Sequence, residues 1–186
     1  MTRPLPEPFT LLLDLQSGQL DPHTTRIERR ASDLRGAFAD AAALEQLIAG
    51  GDPVLYQVLQ YDVPEQPGQL ICCTTILQPG TVGDEYFMTR GHYHAAREAA
   101  EVYLGLSGTG YLLQVTEDGR SDARPLAPGT VAYVPPAWAH RTVNTGTGPL
   151  VFLAVYPANA GHDYAAAGQG GFGRRVRCTA AGPVLS

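Results

Sequence analysis

The stretch GHYHAAREAAEVYLGLSG, residues 91–108, decides how the rest of the chain is read. If Gly91-His92-Tyr93-His94 is a strand, its two imidazoles lie two residues apart and leave the same face. Two metal-ligating groups are then aimed at one point. Further on, Glu101-Val-Tyr-Leu-Gly-Leu-Ser-Gly108 reads as a strand that opens on a carboxylate and closes in a Gly-rich turn. A third imidazole, His140, follows Pro135-Pro136-Ala137-Trp138-Ala139 at a β-turn, and Asn144 comes shortly after it. Spacing alone leaves Glu98 and Glu101 both in contention as the fourth ligand. Glu98 lies in the Ala-rich connection AAREAA, whereas Glu101 begins the strand-like run, so Glu101 is favoured. Three imidazoles and one carboxylate around an octahedral ion leave two adjacent positions open, which suits iron(II), manganese(II) or nickel(II); zinc more often takes a closed tetrahedral set.

Outward from this stretch the text is of one kind. From Pro53 on, VLYQVLQYDV, LICCTTILQ, EYFMTRGHYH, GYLLQVTE, TVAYVPP and VFLAVY are short runs rich in Val, Leu, Tyr and Thr, separated by PEQPGQ, PGTVGD, SGTG, EDGRSD, LAPG and NTGTGP. The 21 glycines and 15 prolines punctuate these runs and do not gather in one linker. The expectation is an all-β barrel or sandwich in a single domain. Residues 1–52 form an N-terminal extension packing on it, 53–164 the barrel, and 165–186 a mobile tail beginning AAAGQGGFGRRV. Helical spacing of Leu34, Phe38, Ala41, Leu44, Leu47 and Ile48 predicts one helix from Ser32 to Ala49, stopped by Gly50-Gly51 and covering a face or edge of the barrel.

The bulk numbers exclude several classes. A chain of 186 residues with a net charge of -5 has no electrostatic footprint for nucleic acid or an anionic membrane. No apolar run approaches membrane-spanning length and MTRPLPEPFTLLLDL lacks the layout of a secretory signal, so a cytoplasmic protein is expected. Cys72, Cys73 and Cys178 suit neither a disulfide framework nor a zinc ribbon and read as small structural hydrophobes.

The two histidine-bearing segments resemble the paired cupin motifs, G-x5-H-x-H-x3,4-E-x6-G and G-x5-P-x-G-x2-H-x3-N. The second matches except at Ala137, where the family prefers glycine; the first lacks its leading glycine and sets six residues between His94 and Glu101. Within the cupins, TRGHYH (89–94), the Glu101-x-Tyr103 pair and YVPPAWAHRTVN (133–144) look like the cupin-type glucose-6-phosphate isomerases of archaea and some bacteria. The resemblance covers roughly Tyr56 to Tyr164. It implies a jelly-roll-like antiparallel barrel with a few flanking helices. One divalent ion, iron(II) first and manganese, nickel or zinc as alternatives, would sit on His92, His94, Glu101 and His140. The wider His-to-Glu gap is typical of this family and supports Glu101. Substrate contacts would fall on Tyr56, Thr75, Thr89, Gly91, Tyr103, Tyr156, His162 and Tyr164.

Hydroxyls of Thr75 and Thr89, the Gly91 N–H and His162 can donate to phosphate oxygens. The implied reaction is glucose 6-phosphate to fructose 6-phosphate and back, a step of glycolysis and gluconeogenesis. A proton would pass between C2 and C1 through a metal-stabilised cis-enediol, with Glu101 as general base and Tyr103 as a possible relay. A hydride shift is the competing route, because a metal-bound carboxylate is a weak base. The alternatives are another metal cupin, such as an iron(II) dioxygenase, and a non-enzymatic sugar-binding cupin. Sugar phosphate is the expected partner, and exposed strands with the LLLDL run suggest a homodimer.

Overall fold

The computed structural model describes residues 7–166 and 172–186. Two short N-terminal strands, β1 (Leu12–Leu13) and β2 (Leu20–Asp21), precede β3 (Thr25–Arg30), a 3-10 turn (Ala31–Leu34) and helix α1 (Ala41–Ala49). Then come β4 (Val54–Tyr61), β5 (Leu70–Leu77), β6 (Thr81–Val82), β7 (Glu85–Tyr86), β8 (Glu101–Ser107) and β9 (Gly110–Thr116). The chain continues through β10 (Ser121–Leu126), β11 (Val131–Val134), β12 (Trp138–Asn144), β13 (Leu150–Pro157), β14 (Val176–Thr179) and β15 (Gly182–Leu185).

All strand pairs are antiparallel. One sheet has the order β11-β8-β13-β5-β4-β3, and a smaller one has the order β10-β9-β12. Their inner faces share one apolar cluster, in which Leu77, Leu150 and Phe152 of the large sheet and Leu112 of the small one take part. Non-consecutive neighbours such as β8 beside β13 are the crossovers of a jelly-roll-like barrel. Asn144, fully buried at the end of β12, donates through Nδ2 to Leu77 O and Gly148 O, both at 2.9 Å. That side chain ties the small sheet to β5.

The barrel starts earlier than Pro53. β3 alternates half-buried and exposed along TRIERR and pairs with β4 from Thr25↔Gln60 onward, so it is the edge strand of the large sheet rather than an extension. The single helix expected over 32–49 is two pieces. Gly36, at φ 83, turns the chain out of helical space, and Asp40 restarts it by accepting the Ala43 N–H at 2.8 Å. The run at 91–94 is extended but joins no named strand; His92 and Tyr93 make isolated bridges to His140 and Asp163.

The C-terminal segment also departs from expectation. Residues 167–171 lie outside the described residues, but 172–186 form the β14–β15 hairpin, joined to β7 through Arg177↔Glu85. Phe172 and Val176 are buried, and Arg175 Nη1 reaches Glu85 Oε2 at 2.6 Å. Two buried apolar anchors and an ion pair outweigh the glycine-rich composition that suggests a loose tail. Among the described residues no helix is long and apolar enough to cross a membrane. All three cysteines are free, with Cys73 buried and Cys178 exposed.

Candidate metal centre

Glu101 opens β8 in the large sheet, and His140 lies within β12 of the small one. Opposite His140, His92 exchanges both backbone hydrogen bonds with it, at 3.2 and 3.0 Å. His94 follows on the same side of the extended run. The donor atoms of His92, His94, Glu101 and His140 all lie within 4.8 Å of one another. Glu98, the competing carboxylate, is exposed and outside this group.

Two of the imidazoles have their orientation fixed locally. His94 Nδ1 lies 3.1 Å from Ala99 O and His140 Nδ1 3.3 Å from Trp138 O; a carbonyl only accepts, so both Nδ1 atoms are the protonated ones. Their Nε2 lone pairs therefore face inward, the arrangement by which backbone carbonyls fix metal-ligating imidazoles. His94 Nε2 is 3.2 Å and His140 Nε2 2.9 Å from the same atom, Glu101 Oε2. Nε2 of His92 and of His140 are buried without a hydrogen-bonding partner among the described residues. Buried polar atoms without partners are costly in a native protein. A divalent cation satisfies all of them together, so the donor set fits a metal ion.

The electrostatics agree. Burial would raise the Glu101 carboxyl, but His140 and then His94, as protonated imidazolium donors, outweigh it and hold it at about 2; burial would lower His94, but the Glu101 carboxylate outweighs that and raises it, so protons stand here where a divalent cation would replace them. Burial, followed by the neighbouring imidazoles, pushes His92 well below the usual histidine range, which keeps it neutral and able to ligate. Tyr103 is pushed far up by burial and by the Glu101 charge, so its phenol stays protonated.

One cavity of about 160 Å³ opens beside the ligands. His92, Glu101 and His140 border it directly, while His94 packs behind them. Every residue expected to touch substrate lines it. Tyr56 and Thr75 come from β4 and β5, Tyr103 and Tyr156 from β8 and β13, Thr89 and Gly91 from the run before His92, and His162 and Tyr164 from the loop after β13. Thr89 Oγ1 accepts the Thr142 N–H at 3.0 Å, so its own hydroxyl proton is free to donate. Tyr56 Oη accepts the Arg90 N–H at 3.4 Å. Gly91 has φ 76, and a Cβ there would sit 2.5 Å from Phe172 Cζ, so no other residue fits the position.

Sequence reading missed Arg29, Gln60 and Cys73, which also line the cavity. The signal for Arg29 was present in the alternation of TRIERR: with Ile27 facing inward, so does Arg29. Gln60 Oε1 accepts the Tyr156 hydroxyl at 3.2 Å. Cys73, taken as an inert hydrophobe, is a buried thiol in the cavity wall whose proton affinity is raised by burial first and the Glu101 charge second.

A two-sheet antiparallel barrel gathering three imidazoles and a carboxylate between its sheets is a cupin with a site that could hold a metal. The sequence family glucose-6-phosphate isomerase (GPI) matches residues 28–182. This chain belongs to that family. It is 50% identical over 169 residues to a glucose-6-phosphate isomerase of Thermococcus gammatolerans, covering 91% of this chain and 88% of that one. A counterpart from Pyrococcus abyssi is 47% identical, covering 91% and 89%, and one from Sinorhizobium medicae 41% identical, covering 92% and 80%. Oxalate decarboxylase from Bacillus subtilis superposes with a TM-score of 0.47 at 24% identity over 57% of this chain; the match spans about a quarter of that protein, 26%.

Proposed function

We propose that this chain interconverts glucose 6-phosphate and fructose 6-phosphate as a metal-dependent aldose–ketose isomerase. The observation that carries the reading is a cavity bordered by His92, Glu101 and His140 of the four-residue donor group and by the hydroxyl donors Thr75 and Thr89. The first suits a carbonyl and its neighbouring hydroxyl; the second suits a phosphate. A divalent ion bound there supplies Lewis-acid polarisation of the sugar carbonyl.

The chain's own groups handle the proton. Glu101 turns Oε2 to the two imidazoles, which leaves Oε1 to take the C2 proton and return it to C1 through a cis-enediol of the sugar. Tyr103, protonated and beside Glu101, donates a hydrogen bond to the developing oxyanion. Tyr56, Tyr156, His162 and Tyr164 orient the sugar, and Gly91 offers its N–H to the phosphate.

Iron(II) is the proposed ion, in keeping with three neutral imidazoles, one carboxylate and open positions. Three free cysteines suit the reducing cytoplasm, which cell fractionation would check. The chain is proposed to act as one domain and as a homodimer.

A coupled assay of fructose 6-phosphate conversion, on metal-stripped protein and after adding iron(II), manganese(II), nickel(II) or zinc, tests the reading. Activity is expected to vanish on stripping and return best with iron. Glu101→Gln should lose it by a factor on the order of 100 or more, while Glu98→Gln keeps it. In deuterated water, solvent deuterium should appear at the transferred position. Its absence would favour the hydride shift, and failure to convert the sugar phosphate at all would overturn the function.

A further inference from the structure

Phosphate is a dianion, yet Thr75, Thr89 and the Gly91 N–H are neutral donors. A fixed cation neutralises such a group where neutral donors do not, and a guanidinium meets phosphate bidentately. Among the described residues, Arg29 is the one arginine lining the cavity. Arg90, Arg97 and Arg141 do not line it, and each has a partner of its own. Arg90 lies over the Tyr164 ring at 4.7 Å, Arg141 over Phe172 at 4.1 Å, and Arg97 is bound to Asp163 at 2.8 Å.

Arg29, by contrast, has no carboxylate within ion-pair reach among the described residues. Among the described residues its guanidinium makes one hydrogen bond, from Nη1 to the Glu28 carbonyl at 3.2 Å. Strand register fixes where its charge sits. Arg29 is directly opposite Tyr56, and inward-facing Ile27 continues across the sheet through Val58, Thr75, Phe152 and Gly105. Arg29 itself is level, through Tyr56 and Leu77, with Leu150, so Glu101, which falls level with Tyr156, stands six residues along β13, on the order of 20 Å of strand. The cavity thus has a cation at one end and the carboxylate of the metal group at the other.

We infer that Arg29 is the phosphate-binding cation of this site and sets its preference for a phosphorylated over an unphosphorylated sugar. Thr75, Thr89 and the Gly91 N–H complete the phosphate cradle, and the guanidinium neutralises it. The inference rests on the isomerase reading above. It names a substrate contact on the edge strand β3, outside the segments that hold the metal.

The test compares wild-type, Arg29→Gln and Arg29→Lys, all metal-loaded, with fructose 6-phosphate and with fructose. Arg29→Gln should raise KM for fructose 6-phosphate on the order of 10- to 100-fold and leave kcat within about threefold. Competitive inhibition by inorganic phosphate should weaken by a similar factor, kcat/KM for fructose should stay unchanged, and Arg29→Lys should recover much of the loss. An equal loss on both sugars would mean a structural role and overturn the inference. So would an unaltered KM together with unaltered phosphate inhibition. If wild-type protein fails on fructose 6-phosphate, the functional reading falls instead, and binding of inorganic phosphate to wild-type against Arg29→Gln, measured by calorimetry, still decides the role of Arg29.

Discussion

Ala137 holds a backbone conformation, φ 64, that side chains disfavour by roughly 1–2 kcal/mol. The turn needs it: the Ala137 N–H donates to Arg97 O at 2.7 Å, and the chain then enters β12 with Trp138 and His140 facing the barrel interior. Ala137→Gly should therefore stabilise the protein by about 0.5–1 kcal/mol in denaturant unfolding, once the entropy of glycine in the unfolded chain is counted. A loss of stability would mean that packing of the Ala137 methyl outweighs the strain. At this scale sequence is informative about residue types and poor on conformation. The departure from glycine at 137 is visible in PPAWAH, but nothing in the letters says that the family's glycine serves a positive φ. Glu101 could be preferred over Glu98 from its strand-like context; that its Oε2 meets two imidazoles could not.

Phe172 links the C-terminal hairpin to the site. Its ring is fully buried, packs under the Arg141 guanidinium and closes the space behind Gly91, the residue proposed to offer its N–H to phosphate. The hairpin is held in turn by Arg175 on Glu85, whose other oxygen accepts the Ala39 N–H at 3.0 Å. Phe172→Ala should cost about 3–5 kcal/mol of unfolding free energy, as large-to-small core changes do, with the loss read from the denaturant midpoint. A change under about 1 kcal/mol would show the hairpin to be dispensable. Composition hides this element, because a glycine-rich approach and arginine pairs look like a tail, while the anchors that reverse that reading are a lone Phe and a lone Val. The helix fails for a related reason. Apolar spacing runs unbroken from Leu34 to Ile48, and periodicity is blind to the φ of Gly36. Strands fared best, since alternation and turn residues are local signals.

Over the whole molecule, the metal group exists only because the two sheets close on each other. His140 belongs to the small sheet, Glu101 to the large one, and His92 and His94 to the run that lies against β12. Spacing made the four residues candidates, but their convergence depends on pairings such as β8 with β13, across about fifty residues. Arg29 went unseen for the same reason: its place in the barrel is set by β4, not by its neighbours in sequence. The outer face of the large sheet leaves Val131 70%, Tyr133 56% and Val102 39% exposed, with Tyr133 directly opposite Val102. An apolar patch of this kind fits the proposed homodimer, so Tyr133→Glu should shift the species in light scattering from two chains toward one. An unchanged mass would place any interface elsewhere. The hydrogen bond between Trp138 O and His140 Nδ1 has a practical consequence as well. Trp138 is the chain's single tryptophan, so its emission comes from one address, two residues from a proposed iron ligand. A paramagnetic ion seated there would dim that light, and the protein would report the loading of its own centre without a label.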